Sequence, residues 1–108
     1  MPGTTIARGN ILYDWMIAPS LTPVAVAQAT TAEQSFTVAG LQVGDFINVY
    51  LNAAQTAGIG IVNARVSALN TLTISFSNST AGSLTPAAGS YVMNVCRPEA
   101  LPLPANAS

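Results

Sequence analysis

The sequence predicts an all-β protein: an antiparallel β-sandwich with Greek-key or jelly-roll-like wiring and extended N- and C-terminal arms. Three observations carry this reading. Residues 71–77 alternate, with Leu72, Ile74 and Phe76 on one side and Thr71, Thr73, Ser75 and Ser77 on the other. Short runs of this kind recur at near-regular spacing, separated by turn residues. No stretch between them carries helical periodicity. At 108 residues the chain is one domain, divided as an N-terminal arm (1–20), a β-sandwich (21–97) and a proline-rich C-terminal tail (98–108).

In the first segment, MPGTTIARGNILYDWMIAPS, Gly3, Gly9, Asn10 and Pro19 punctuate the chain, and the bulky residues bunch at 11–17. This does not read as a domain strand. It is either a short helical turn or an extended piece, and with the only tryptophan in it, it is expected to dock on the domain's own core or on a neighbouring subunit. From residue 22 the reading is β. TPVAVAQAT alternates after Pro23, with Val24 and Val26 on one side. EQSFTVAG pairs Phe36 with Val38 and ends at Gly40. GDFINVYLN is the strongest strand, aromatic, β-branched or aliphatic on both faces.

IGIVNARVSA follows, with Val62, Ala64 and Val66 sharing a face, and TLTISFSN comes after it. These two make a tight hairpin around residues 68–70, where Asn70 tolerates the left-handed conformation such turns need. The segment 78–90 is too long for a hairpin and is expected to cross between sheets. SYVMNVC is the last strand. The tail RPEALPLPANAS holds three closely spaced prolines, which favour an extended polyproline-like path, either a disordered end or an arm laid across a partner.

Composition narrows the function. Only 6% of residues are charged, against about 25% in an average protein, and there are three arginines, four carboxylates and no histidine. Histidine acid–base chemistry and serine–histidine triads are therefore excluded. Zinc would need clustered cysteine and histidine, and Cys96 stands alone. Cys96 is expected to be a small buried hydrophobe beside Val95. Asp45, after Gly44 at a strand start, is expected to make a turn hydrogen bond, and Arg65 is either a surface charge or half of an inter-subunit pair. Asp14 and Asp45 are the two carboxylates whose pairing would revive an enzymatic reading. The chain is expected not to be an enzyme and to need no cofactor or metal.

A net charge of −1 and scattered arginines leave no electrostatic footprint for nucleic acid. No apolar run approaches the ~20 residues that cross a bilayer, and no secretory signal pattern opens the chain, so no membrane partner is expected. A surface so poor in charge lacks the repulsion that keeps monomers apart, which favours a component of an assembly.

The stretches FTVAGLQVGDFINVYLN and GIVNARVSALNTLTISFSNSTAGSLTPAAGSYVMNV resemble a short β-rich module of tailed-bacteriophage structural proteins. The matching pattern is a V-G-D strand opening, then ARVSA-x-NT-x-T-x-x-F-x-N-x-TAG, then P-A-G-[ST]-Y, over about residues 36–96. Proteins that look like this chain are similar to capsid cement, or decoration, proteins; others look like parts of tail fibres. The resemblance implies a virion protein, made in the host bacterial cytoplasm. It would lie on the capsid exterior as a dimer or trimer, bound to the major capsid protein and bridging its subunits. On this reading Tyr13, Trp15 and Met16 in one arm and Leu101 and Leu103 in the other are the candidate partner-binding residues, since tyrosine and tryptophan are the commonest interface anchors. The alternative is a tail-fibre or receptor-binding module using loops 52–58 and 78–90, which lack aromatic residues.

Overall fold

A computed structural model describes residues 9–106. Its elements are β1 (Ile11–Ile17), β2 (Ser20–Leu21), β3 (Thr30–Thr37), β4 (Phe46–Leu51), β5 (Ile59–Ala68), β6 (Thr71–Asn78) and β7 (Gly89–Pro98), with no helix among the described residues. They form two antiparallel sheets, as a β-sandwich requires. In the first, β7 is central: β1 and β2 pair in succession along one edge and β4 along the other. In the second, β6 lies between β3 and β5.

The two central strands supply the heart of the core. Leu72, Ile74 and Phe76 of β6 and Tyr91, Met93 and Val95 of β7 are all completely buried. Their period-2 spacing sends every second side chain inward, and a central strand has neighbours on both edges to seal it. Ile47 and Val49 from β4, Ile59 and Val66 from β5, and Leu21, Val26, Val38 and Leu41 complete the cluster. Phe76 meets Tyr91 edge to face between the sheets, with ring centroids 6.4 Å apart. The Tyr91 hydroxyl donates to Ala87 O (2.7 Å) and accepts from Gln55 Nε2 (3.2 Å), so the core tyrosine also holds two connecting segments together.

The β5–β6 hairpin forms where expected, and Asn70 adopts φ 58°. Asn70 does more than turn the chain. Its N–H donates to Leu41 O, its carbonyl accepts from Val38 N–H, and its side-chain Oδ1 accepts from Gly40 N–H, so the hairpin tip is fastened to the β3–β4 connection. The 78–90 segment does pass from one sheet to the other. Asn78, buried at the end of β6, organises it: Nδ2 donates to Val26 O and Gly82 O, while Oδ1 accepts from Thr80 N–H and Oγ1–H.

Several expectations are corrected. Residues 11–17 and 20–21 are not an arm: they are β1 and β2, and the bunched bulky residues lie on the open edge of β7 with Trp15 and Ile17 packed on the core. Residues 1–8 of the expected arm, and 107–108 of the tail, lie outside the described residues. The 22–30 segment is not a strand. It makes one bridge, Val26 to Leu84, which buries Val26 and leaves Val24 exposed, because Pro23 and the turn before Thr30 deny it a ladder. Val62 does not share the Val66 face: a register shift between Ile61 and Asn63 inserts one extra residue, turning Val62 outward and returning Ala64 and Val66 inward. Pro98 closes β7 instead of opening the tail.

Candidate interaction surface

The six charged side chains among the described residues are dispersed, and the ion pairs they form lie within the chain. Arg65 bonds Glu33 through both nitrogens (Nε–Oε2 3.0 Å, Nη2–Oε1 2.9 Å) on the outer face of the second sheet, so it pairs within the chain. The Arg65 guanidinium lowers the Glu33 pKa. Thr73, between Ser35 and Ser67, bonds both hydroxyls at 3.0 and 2.7 Å. This hydroxyl row explains why the outward face of β6 carries no charge. Thr73 and Ser75 are themselves buried by β3 and β5, where a charge would be desolvated and a hydroxyl can be satisfied by its neighbours.

Asp45 does make the expected turn bond, accepting from Gln42 N–H at 3.0 Å. It also takes a two-pronged bond from Arg97 (Nε–Oδ1 2.9 Å, Nη2–Oδ2 2.8 Å), which the sequence did not reveal. The Asp45 side chain is 2% exposed and Arg97 18%. Hydrogen bonding from Arg97 holds the Asp45 carboxyl below its usual range, against the opposing effect of burial. Arg97 also donates to Gly40 O (2.8 Å) and lies 5.0 Å over the Trp15 ring. Asp14 has separate partners, Asn94 Nδ2 at 2.7 Å and Cys96 Sγ at 3.4 Å, so the two carboxylates are not brought together as a pair. Cys96 is half-buried on the outer face of the sheet, not in the core. Its thiol pKa is pushed up by partial burial and by the Asp14 carboxylate. Among the described residues no three metal-ligating side chains cluster.

The five expected partner-binding residues separate. Tyr13 and Trp15 share a face of β1 and meet edge to face at 6.4 Å, but Trp15 is half-buried against the core and under Arg97. Met16, one residue on, points to the opposite face. Leu101 and Leu103 are exposed on the segment after β7. That segment is not detached: Glu99 N–H donates to Asn10 O at 2.7 Å, and Leu101 lies over Gly44. Leu12, Val43 and Leu101 line a shallow cleft of about 290 Å³ there.

A charge-poor surface that the sequence reading missed is the outer face of the first sheet. Register sets out its rows: Asp14, Cys96 and Phe46; then Met16, Asn94 and Asn48; then Val92 and Tyr50. Phe46, Tyr50 and Met16 are 62%, 55% and 63% exposed, and among the described residues of these rows Asp14 is the only charge. The signal was present in FINVYL. Asn48 between two aromatics at period 2 marks the outer face, although the run reads as apolar on both sides. In comparisons with known proteins, no family model, no curated protein and no solved structure matches this chain, so the residues themselves carry the functional argument.

Proposed function

We propose that this chain is a structural virion protein that binds the outer surface of a bacteriophage capsid and stabilises it by bridging major capsid protein subunits. The observation that carries the reading is the outer face of the first sheet, where Phe46, Tyr50 and Met16 stand exposed among amides with a single carboxylate. Exposed aromatics and methionine on a stiff sheet suit a surface that is covered in use. A face without charge pairs binds through area and hydrogen bonds, and its attachment is insensitive to salt. The V-G-D, ARVSA and TAG segments that resemble phage modules lie on the strands and turns of this same sandwich. The chain changes sheets at β2–β3, β3–β4, β4–β5 and β6–β7, which supports a Greek-key or jelly-roll-like assignment.

One observation favours the tail-fibre or receptor-binding alternative. Loops 52–58 and 78–90 join at one end through Gln55 Oε1 to Ala87 N–H, Thr56 Oγ1 to Thr85 O and Ser79 N–H to Gly58 O. They therefore form one tip. The number of copies per purified virion, counted by quantitative mass spectrometry against the major shell protein, decides the matter. A simple ratio to the shell subunit supports cement. A handful of copies supports the tail, and absence from the particle refutes both.

A further inference from the structure

The two sheets have four outer edges, and three are blunted. The β1 edge shifts register between Ile11 and Tyr13 and is interrupted at Pro19 before β2. The β3 edge is clasped by residue 24: the Gln34 side chain accepts from Val24 N–H (2.8 Å) and donates to Val24 O (2.7 Å). The β5 edge is bulged twice, at Ile61/Asn63 and at Val66/Ala68. Bulges, prolines and covering segments are the devices by which a sheet edge is kept from pairing with another chain.

The β4 strand itself has neither bulge nor proline, and β5 stands beside it across a groove without pairing. Phe46 to Leu51 pair with β7 residue for residue without a shift, and the strand contains no proline and no charge. Its other side looks onto an open groove of about 540 Å³ between residues 45–49 and 61–65. No ladder joins β4 to β5 across that groove among the described residues. Alternate β4 residues therefore direct main-chain N–H and C=O groups away from β7 into that groove, where β5 offers them no ladder.

From this unguarded edge we infer that β4 pairs antiparallel with β4 of a second copy, about a two-fold axis through Asn48. The strand is self-complementary in that register. Same-face pairing requires opposed residue numbers to sum to an even value, and centring on Asn48 sets Asn48 against its own copy. Phe46 then faces Tyr50 of the second copy, and Ile47 faces Val49 of the second copy. Inward residues meet inward residues, and two aromatic cross-strand pairs form on the outer face, the arrangement that most favours adjacent strands. The absence of charge removes self-repulsion, and a two-fold closes the assembly so that it stops at a dimer. The pairing does not depend on the virion reading. It joins the outer faces of two first sheets into one surface.

Sedimentation analysis of the full chain over a concentration series is the test. The expected result is a reversible dimer of twice the 11.0 kDa chain mass. Asn48 is exposed, so Asn48→Lys leaves the protomer folded by circular dichroism while placing like charges opposite each other. Juxtaposed like charges weaken association by about tenfold or more. In a Cys96→Ser background, Asn48→Cys is expected to give a covalent dimer on mild oxidation or with a short bis-maleimide, and Thr31→Cys on the second sheet is not. This readout does not rely on the Asn48→Lys protein folding. A strictly monomeric protein overturns the inference. So does a trimer, or a dimer that is indifferent to Asn48→Lys and not cross-linked through position 48.

Discussion

Replacing Asp45 with asparagine keeps the volume of the side chain and removes the charge that Arg97 grips. In the native protein both carboxylate oxygens accept from Arg97, at 2.9 and 2.8 Å, and Oδ2 also takes the Gln42 N–H. The amide has one acceptor oxygen, so in either orientation its NH2 faces a guanidinium N–H, and in one of them the Gln42 N–H as well. Breaking a buried pair from one side costs about 3–5 kcal/mol when the remaining charge is stranded. Arg97 is not fully stranded here, since it is 18% exposed and keeps Gly40 O and the Trp15 face. The lower end, about 3 kcal/mol, is therefore expected. With an unfolding entropy of about 2.1 cal/mol/K per residue, that lowers Tm by roughly 13 °C. Differential scanning calorimetry reads this directly, and Arg97→Gln with the double variant gives the coupling. The pH dependence has a definite sign. Asp45 has a folded pKa below its unfolded value of about 3.9, so its contribution is present above that value and lost as pH falls through the folded pKa. The gap between native protein and Asp45→Asn should therefore be constant near neutrality and close in acid. A Tm within about 2 °C of native, roughly 0.5 kcal/mol on the same scale, with an unchanged acid limb, would refute the reasoning.

Further outcomes follow from other contacts. Asn78→Ala removes the amide that bonds Val26 O, Gly82 O and Thr80, and should lower the urea midpoint by the equivalent of about 2 kcal/mol, with m unchanged. Gly44→Ala meets both φ +100° and a β-carbon 2.6 Å from Leu101 Cδ1, so a loss of about 1–3 kcal/mol is expected. Adding Leu101→Ala should restore only the steric part; no restoration would mean that the tail does not rest on that turn in solution. Trp15→Ala should cost about 2 kcal/mol through lost core packing and the Arg97 contact, whereas exposed Met16→Ala should stay within about 0.5 kcal/mol by thermal melting. The raised Cys96 thiol should alkylate slowly at neutral pH, and Asp14→Asn should speed the reaction, measured with iodoacetamide across pH.

How legible each feature was depended on how local its cause is. The strand of Leu72, Ile74 and Phe76 shows itself by period 2, and the turn at Asn70 by a side chain that tolerates a left-handed backbone; both causes lie within a few residues. The first β-strand was misread because its partner is β7, some eighty positions away. Nothing in ILYDWMI distinguishes a strand that finds a ladder from a segment that does not. TPVAVAQAT fails in the opposite sense, with good alternation but, between Pro23 and the turn before Thr30, only the Val26–Leu84 bridge. The candidate surface was half visible. Tyr13 and Met16 are exposed, whereas Trp15 packs on the core and under Arg97. Phe46 and Tyr50 were hidden inside a run that looked apolar on both faces.

By itself the sequence determined the class of this protein. Alternating β-branched and hydroxyl residues with turn residues between them can bury one face only as paired strands. Only the tertiary structure decided which strands became central and that Asp45 and Arg97 would meet. It also decided that the edge of β4 would stay open. Those outcomes depend on contacts between residues far apart in the chain. Their geometry exists only once two sheets have packed, because strand pairing is chosen by the whole set of competing edges and not by any one strand's pattern.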